Sequence, residues 1–229
     1  MKPHLLILHG ALGAKKQFSE LAILLSSQFE VRCLEFDGHG TLGDYNGDFS
    51  INHFASQTNA TLKALGWEKP LVFGYSMGGY VALKLEATHL GTFDSIITLG
   101  TKFNWTPESA TQEVRMLNPE KIVEKIPAFG LYLASLHGEN EWKSLMLKTA
   151  DMMIEMGNHP PITEEVLANV SPKVTCLRGS KDVMVNAEET LWAVNSLPNA
   201  IYEEVPEWQH PIDKIPTKEL VELLLEKRS

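Results

Sequence analysis

The chain has 229 residues, 44% of them apolar, and its 29 acidic against 20 basic side chains give a formal charge of −9. This length suits one large domain, or one with an insertion, and a chain of this size can hold a core without metal or disulfide. The acidic balance, with no Lys/Arg cluster against it, excludes nucleic acid and anionic lipid as natural partners.

In chain order, the strand candidates are His4–Leu8, Val31–Phe36, Pro70–Tyr75, Ser95–Leu99, Lys173–Arg178 and Ala200–Val205. Each is short, apolar and bounded by Gly, Pro or Asp, the pattern of strands covered on both faces. Between them lie amphipathic stretches: Gln17–Gln28, Ile51–Leu65, Met77–His89, Ala187–Ser196 and a closing helix from Thr217 to about Lys227. Asn186 before Ala187-Glu188-Glu189 supplies an N-cap and two carboxylates at the positive end of a helix. Such alternation implies an α/β fold with a parallel sheet and helices on both faces.

Residues 102–172 break the rhythm, with helical pattern interrupted at Pro107, Pro119, Pro127, Gly138, Gly157 and His159-Pro160-Pro161. A stretch this long is not a loop in a compact domain. It predicts a helical cap inserted after the fourth strand, with the core formed by residues 1–101 and 173–229. The cap is rich in bulky apolar groups, among them Trp105, Met152, Met153 and Met156, which either pack it onto the body or line a cavity beneath it. The N-terminal apolar run Leu5–Leu8 is too short for a membrane span and lacks the marks of a signal peptide. Cys33 and Cys176 sit in strand-like runs with no framework spacing, so two buried free thiols and a cytoplasmic protein are expected.

The strongest chemical signal is Gly74-Tyr75-Ser76-Met77-Gly78 between a strand and a helix. A serine on so sharp a turn is held in a strained conformation, which glycines permit by letting neighbouring backbone pass close. Its hydroxyl then stands clear of the sheet, and the Met77 N–H at the helix start points toward the reacting centre. Serine needs a base, and the base an orienting acid, both on loops after later strands. The fifth strand runs into Gly179-Ser180-Lys181-Asp182, and the sixth into Pro206-Glu207-Trp208-Gln209-His210. Thr101–Pro107, after the fourth strand, offers no rival carboxylate, and the other seven histidines fall in earlier turns, helices, a strand or the insertion.

With the order Ser76, Asp182, His210, the sequence resembles the α/β-hydrolase superfamily over nearly its whole length. The turns His9-Gly10-Ala11 and Asp37-Gly38-His39-Gly40 are similar to that superfamily's turns after its first two parallel strands. The resemblance implies a sheet of about six strands in the order 2-1-3-4-5-6, trimmed of two leading antiparallel strands. It also implies a Ser76–His210–Asp182 triad, and an oxyanion hole from the backbone N–H groups of Ala11 and Met77. No cofactor and no metal is expected: Asp44-Tyr45-Asn46-Gly47-Asp48 fails as a calcium loop at Phe49 and Ala55, and no phosphate or dinucleotide motif is present. The expected activity is hydrolysis of a small, uncharged carboxylic ester. The alternatives are C–C bond cleavage or a lyase step on the same fold, or a ligand receptor that keeps the hydrolase body.

Overall fold

The computed structural model describes residues 2–228. Six parallel strands, β1 (His4–Leu8), β2 (Glu30–Leu34), β3 (Leu71–Tyr75), β4 (Ser95–Leu99), β5 (Lys173–Gly179) and β6 (Ala200–Val205), form one sheet. Their order across it is β2-β1-β3-β4-β5-β6, as expected. Alternate side chains of the strands feed two cores. Leu6, Leu8, Val72, Ile96 and Val174 pack with α2 (Ile51–Leu65), α3 (Met77–Thr88) and α9 (Ala187–Ser196). Leu5, Ile7, Phe73, Ile97 and Leu177 pack on the other face with α1 (Ser19–Leu25) and α10 (Thr217–Glu226).

Two details differ from the sequence reading. The first helical stretch is a 3-10 turn (Lys15–Phe18) followed by a shorter α1, which stops where the Ser26 hydroxyl donates to the Ile23 carbonyl at 2.7 Å. A hydroxyl competing for helix carbonyls favours such an end. The edge strands β2 and β6 are also half-exposed, since each has a neighbour on one side alone. Cys33 on β2 is therefore half-buried, while Cys176 on β5 is fully buried. Burial pushes both thiols up to about 11, so both are inert at neutral pH. Asn186 caps α9 as expected, in a reciprocal box with Glu189.

Between β4 and β5 the chain forms five helices: α4 (Pro107–Val114), α5 (Pro119–Lys125), α6 (Pro127–His137), α7 (Glu141–Asn158) and α8 (Glu164–Leu167). Of the five prolines that interrupt the pattern, Pro107, Pro119 and Pro127 each open a helix. There the missing N–H costs nothing, because the first turn has no acceptor for it. Ile122, Leu133, Trp142 and Met146 form a small core within α5–α7, while Ala110, Met152 and Met156 join the main core. Asp44 bonds to Ser144 and Lys148 of α7, so this carboxylate ties the β2–α2 connection to the insertion. Among the described residues no helix is long and apolar enough to cross a membrane.

Candidate active site

Ser76 lies between β3 and α3 with φ +51° and ψ −117°, a conformation that L-residues rarely adopt. Its neighbours hold it there: Ser76 N–H donates to Leu99 O at 2.8 Å, and the Thr101 hydroxyl donates to Ser76 O at 3.0 Å. The turn is also sterically tight. A Cβ on Gly78 would lie 2.3 Å from Leu8 O, and one on Gly74 would lie 2.5 Å from the Gly79 Cα. Only glycine lets three backbone segments meet at this distance.

Asp182 follows β5. One carboxylate oxygen accepts from the Met184 and Val185 N–H groups at 2.8 and 2.9 Å, and the other meets His210 Nδ1 at 2.8 Å. Burial alone would raise its pKa. The His210 hydrogen bond and charge, with the two N–H donors, outweigh burial and hold the carboxyl below its usual range. The carboxylate fixes the proton of His210 on Nδ1 and leaves the Nε2 lone pair available. Gly100, next to the residue that holds Ser76, passes close to the pair: a Cβ there would lie 3.2 Å from both Asp182 Oδ2 and His210 Nδ1.

Ser76 and His210 line one cavity of about 50 Å³, together with Ala11, Met77, Tyr80, Trp105, Met152, Met153, Met156 and Met184. Of the eight histidines, His210 is the one on this cavity. His9, His39 and His137 are buried among themselves, His53 pairs with Asp37, His4 stacks on Trp67, and His159 pairs with exposed Glu155. Among the described residues the Ser76 hydroxyl and His210 Nε2 have no hydrogen-bond partner, and neither do the N–H groups of Ala11 and Met77. The four residues that carry these groups line one small space.

Supporting residues emerge that the motifs did not reveal. The Tyr75 hydroxyl donates to His210 O at 2.8 Å. The Arg178 guanidinium donates to Asp182 O at 3.0 Å and Val185 O at 2.7 Å, bracing the loop that carries the acid. A Lys102–Glu113 ion pair, 3.2 Å apart, borders the cavity. Tyr75 and Arg178 sit beside motif residues, but no periodic pattern marks a side chain that bonds a distant carbonyl.

A sequence profile described as the alpha/beta hydrolase fold matches residues 3–128. The chain belongs to this family. A serine hydrolase-like protein of Homo sapiens is 31% identical over 101 residues, which is 43% of this chain and 50% of the human protein. One of Danio rerio is 28% identical over 109 residues, 46% of this chain and 33% of the fish protein. The matches thus span half or less of these relatives. NosK from Streptomyces actuosus superposes with a TM-score of 0.82 at 18% identity, covering 99% of this chain and 97% of its own. The enol-lactonase from Burkholderia xenovorans LB400 gives 0.77 at 14%, covering 99% and 91%. A thermophilic esterase from Thermogutta terrifontis gives 0.75 at 19%, covering 99% and 89%. At these identities the structural likeness speaks to the fold.

Proposed function

We propose that this α/β hydrolase is a serine esterase, cleaving a small, uncharged carboxylic ester through an acyl-enzyme on Ser76. The observation that carries the reading is the Asp182–His210 hydrogen bond beside the cavity that holds the strained Ser76. His210 Nε2 takes the Ser76 proton as Oγ attacks the ester carbonyl. Asp182 keeps the imidazole in the required tautomer and balances its charge. The oxyanion falls to the N–H groups of Ala11 and Met77; one such donor is worth about 3 kcal/mol in comparable sites. The alkoxide leaves with the proton from His210. Water, deprotonated by the same nitrogen, then frees the acid and restores Ser76.

The test is covalent labelling. An alkyl fluorophosphonate should form one Ser76 O–P bond with loss of fluoride, located by peptide mass spectrometry. Either the absence of an adduct or an adduct at another residue sinks the nucleophile assignment. A panel of esters of rising acyl length, run beside a diketone, separates ester hydrolysis from C–C cleavage.

The cavity walls bear on the substrate. A space of about 50 Å³ walled by methionine, tryptophan and tyrosine suits an acyl group of about two to four carbons. Met153 is half-buried on this wall, so its truncation removes bulk without opening the core. Met153→Ala is expected to move the preferred acyl length up by about two carbons. Each newly accommodated methylene should gain about fourfold in kcat/KM, from about 0.8 kcal/mol of burial. An unchanged chain-length profile would show that acyl groups bind elsewhere.

A further inference from the structure

We propose that His137, on α6 of the insertion, is a positioning residue that holds the Ala11 N–H in its oxyanion-binding orientation. The inference rests on the reading of Ser76 and Ala11 given above. Ala11 and Leu12 are the central residues of a turn closed by Gly13 N–H donating to Gly10 O at 3.1 Å. Leu12 has φ +55°. A residue with a Cβ is strained in this region, so the turn needs an outside hold to keep its shape.

His137 supplies that hold. Its ring is 4% exposed, its Nε2 lies 3.0 Å from Leu12 O, and its Nδ1 accepts from Gly40 N–H at 2.8 Å. Because Gly40 can only donate here, the ring proton is on Nε2 and is given to Leu12. One neutral imidazole thus pins the turn after β1 to the turn after β2. Burial of His137 lowers its pKa and keeps this form.

A second tie fixes the helix that carries it. The Tyr132 hydroxyl on α6 accepts from Gln17 Nε2 at 2.9 Å and donates to Asp213 Oδ2 at 2.6 Å. Asp213 lies three residues beyond His210. Helix α6 therefore touches the connection after β1, which carries Ala11, and the one after β6, which carries His210. If the Leu12 carbonyl is released, the strained turn relaxes and the Ala11 peptide rotates away from the cavity.

The experiment compares wild type, H137A, H137N and H137Q by ester kinetics, fluorophosphonate labelling rate and melting temperature. Glutamine carries an N–H donor and a carbonyl acceptor at about the spacing of the two ring nitrogens, so it can replace both bonds. H137A, or H137N if the alanine variant does not fold, is expected to lose at least tenfold in kcat and in labelling rate, with KM within twofold. H137Q should stay within threefold of wild type. A folded H137A or H137N that labels at the wild-type rate overturns the proposal, as does a folded H137Q that is no better than the variant it is meant to rescue. A lower melting temperature with unchanged kcat assigns His137 a structural role and overturns it too. If the wild type itself does not label at Ser76, the esterase reading has failed instead.

Discussion

Asp182→Asn is expected to lower kcat by about 10³–10⁴ while leaving the fold and KM close to wild type, and Ser76→Ala to lower it further. Asparagine can keep its carbonyl on the Met184 and Val185 N–H groups, so the loop after β5 retains its anchor. The other position of the side chain, now 2.8 Å from His210 Nδ1, becomes an NH₂ donor. Nδ1 must then accept, its proton moves to Nε2, and the nitrogen meant to deprotonate Ser76 has no free lone pair. Binding is spared, because Asp182 is not on the cavity wall. Steady-state kinetics with circular dichroism on both variants would settle this. A folded Asp182→Asn within tenfold of wild-type kcat would mean that the acid is supplied elsewhere.

The second large effect is on stability. As pH falls from above 6.5 to below 4 the folded state should lose up to about 3.5 kcal/mol through His9 alone, as 2.5 units at about 1.4 kcal/mol each. Burial lowers His9 from 6.5 to about 4, a hydrogen bond to Gly10 opposes this, and nearby His137 adds to it. The sign follows directly. Below pH 6.5 the unfolded chain takes up a proton that the folded chain refuses until about pH 4, so stability is intact above 6.5 and drains as pH falls.

His39 works in the same direction: it is fully buried beside His9, its Nε2 has no partner, and burial holds it well below its usual value. Glu35 opposes them, since burial raises its pKa and acid relieves its buried charge. Asp182, held low, adds its own loss at still lower pH. Urea denaturation at pH 7 and pH 4 measures the sum. A midpoint unchanged between them would mean that the histidine cluster hydrates or rearranges on protonation.

The sequence by itself determined the strand candidates and the site candidates, while the sheet order came from its resemblance to the α/β-hydrolase superfamily. Buried parallel strands leave short apolar runs, and a strained serine turn can be built only with glycine at Gly74 and Gly78, so both leave local marks. It also marked the stretch between β4 and β5 as helical, although Pro107, Pro119 and Pro127 read as interruptions when they are helix starts. The exposure of β2 and β6 was not legible, because an edge strand and a central one share local periodicity and differ only in how many neighbours they have. The tertiary structure alone decided that Asp182 bonds to His210, that His210 shares a cavity with Ser76, that Arg178 braces the acid loop, and that His137 reaches Leu12. These contacts join residues up to 125 positions apart. Their existence depends on the direction in which whole helices pack, and periodicity reports only which face of an element is buried, not what it meets.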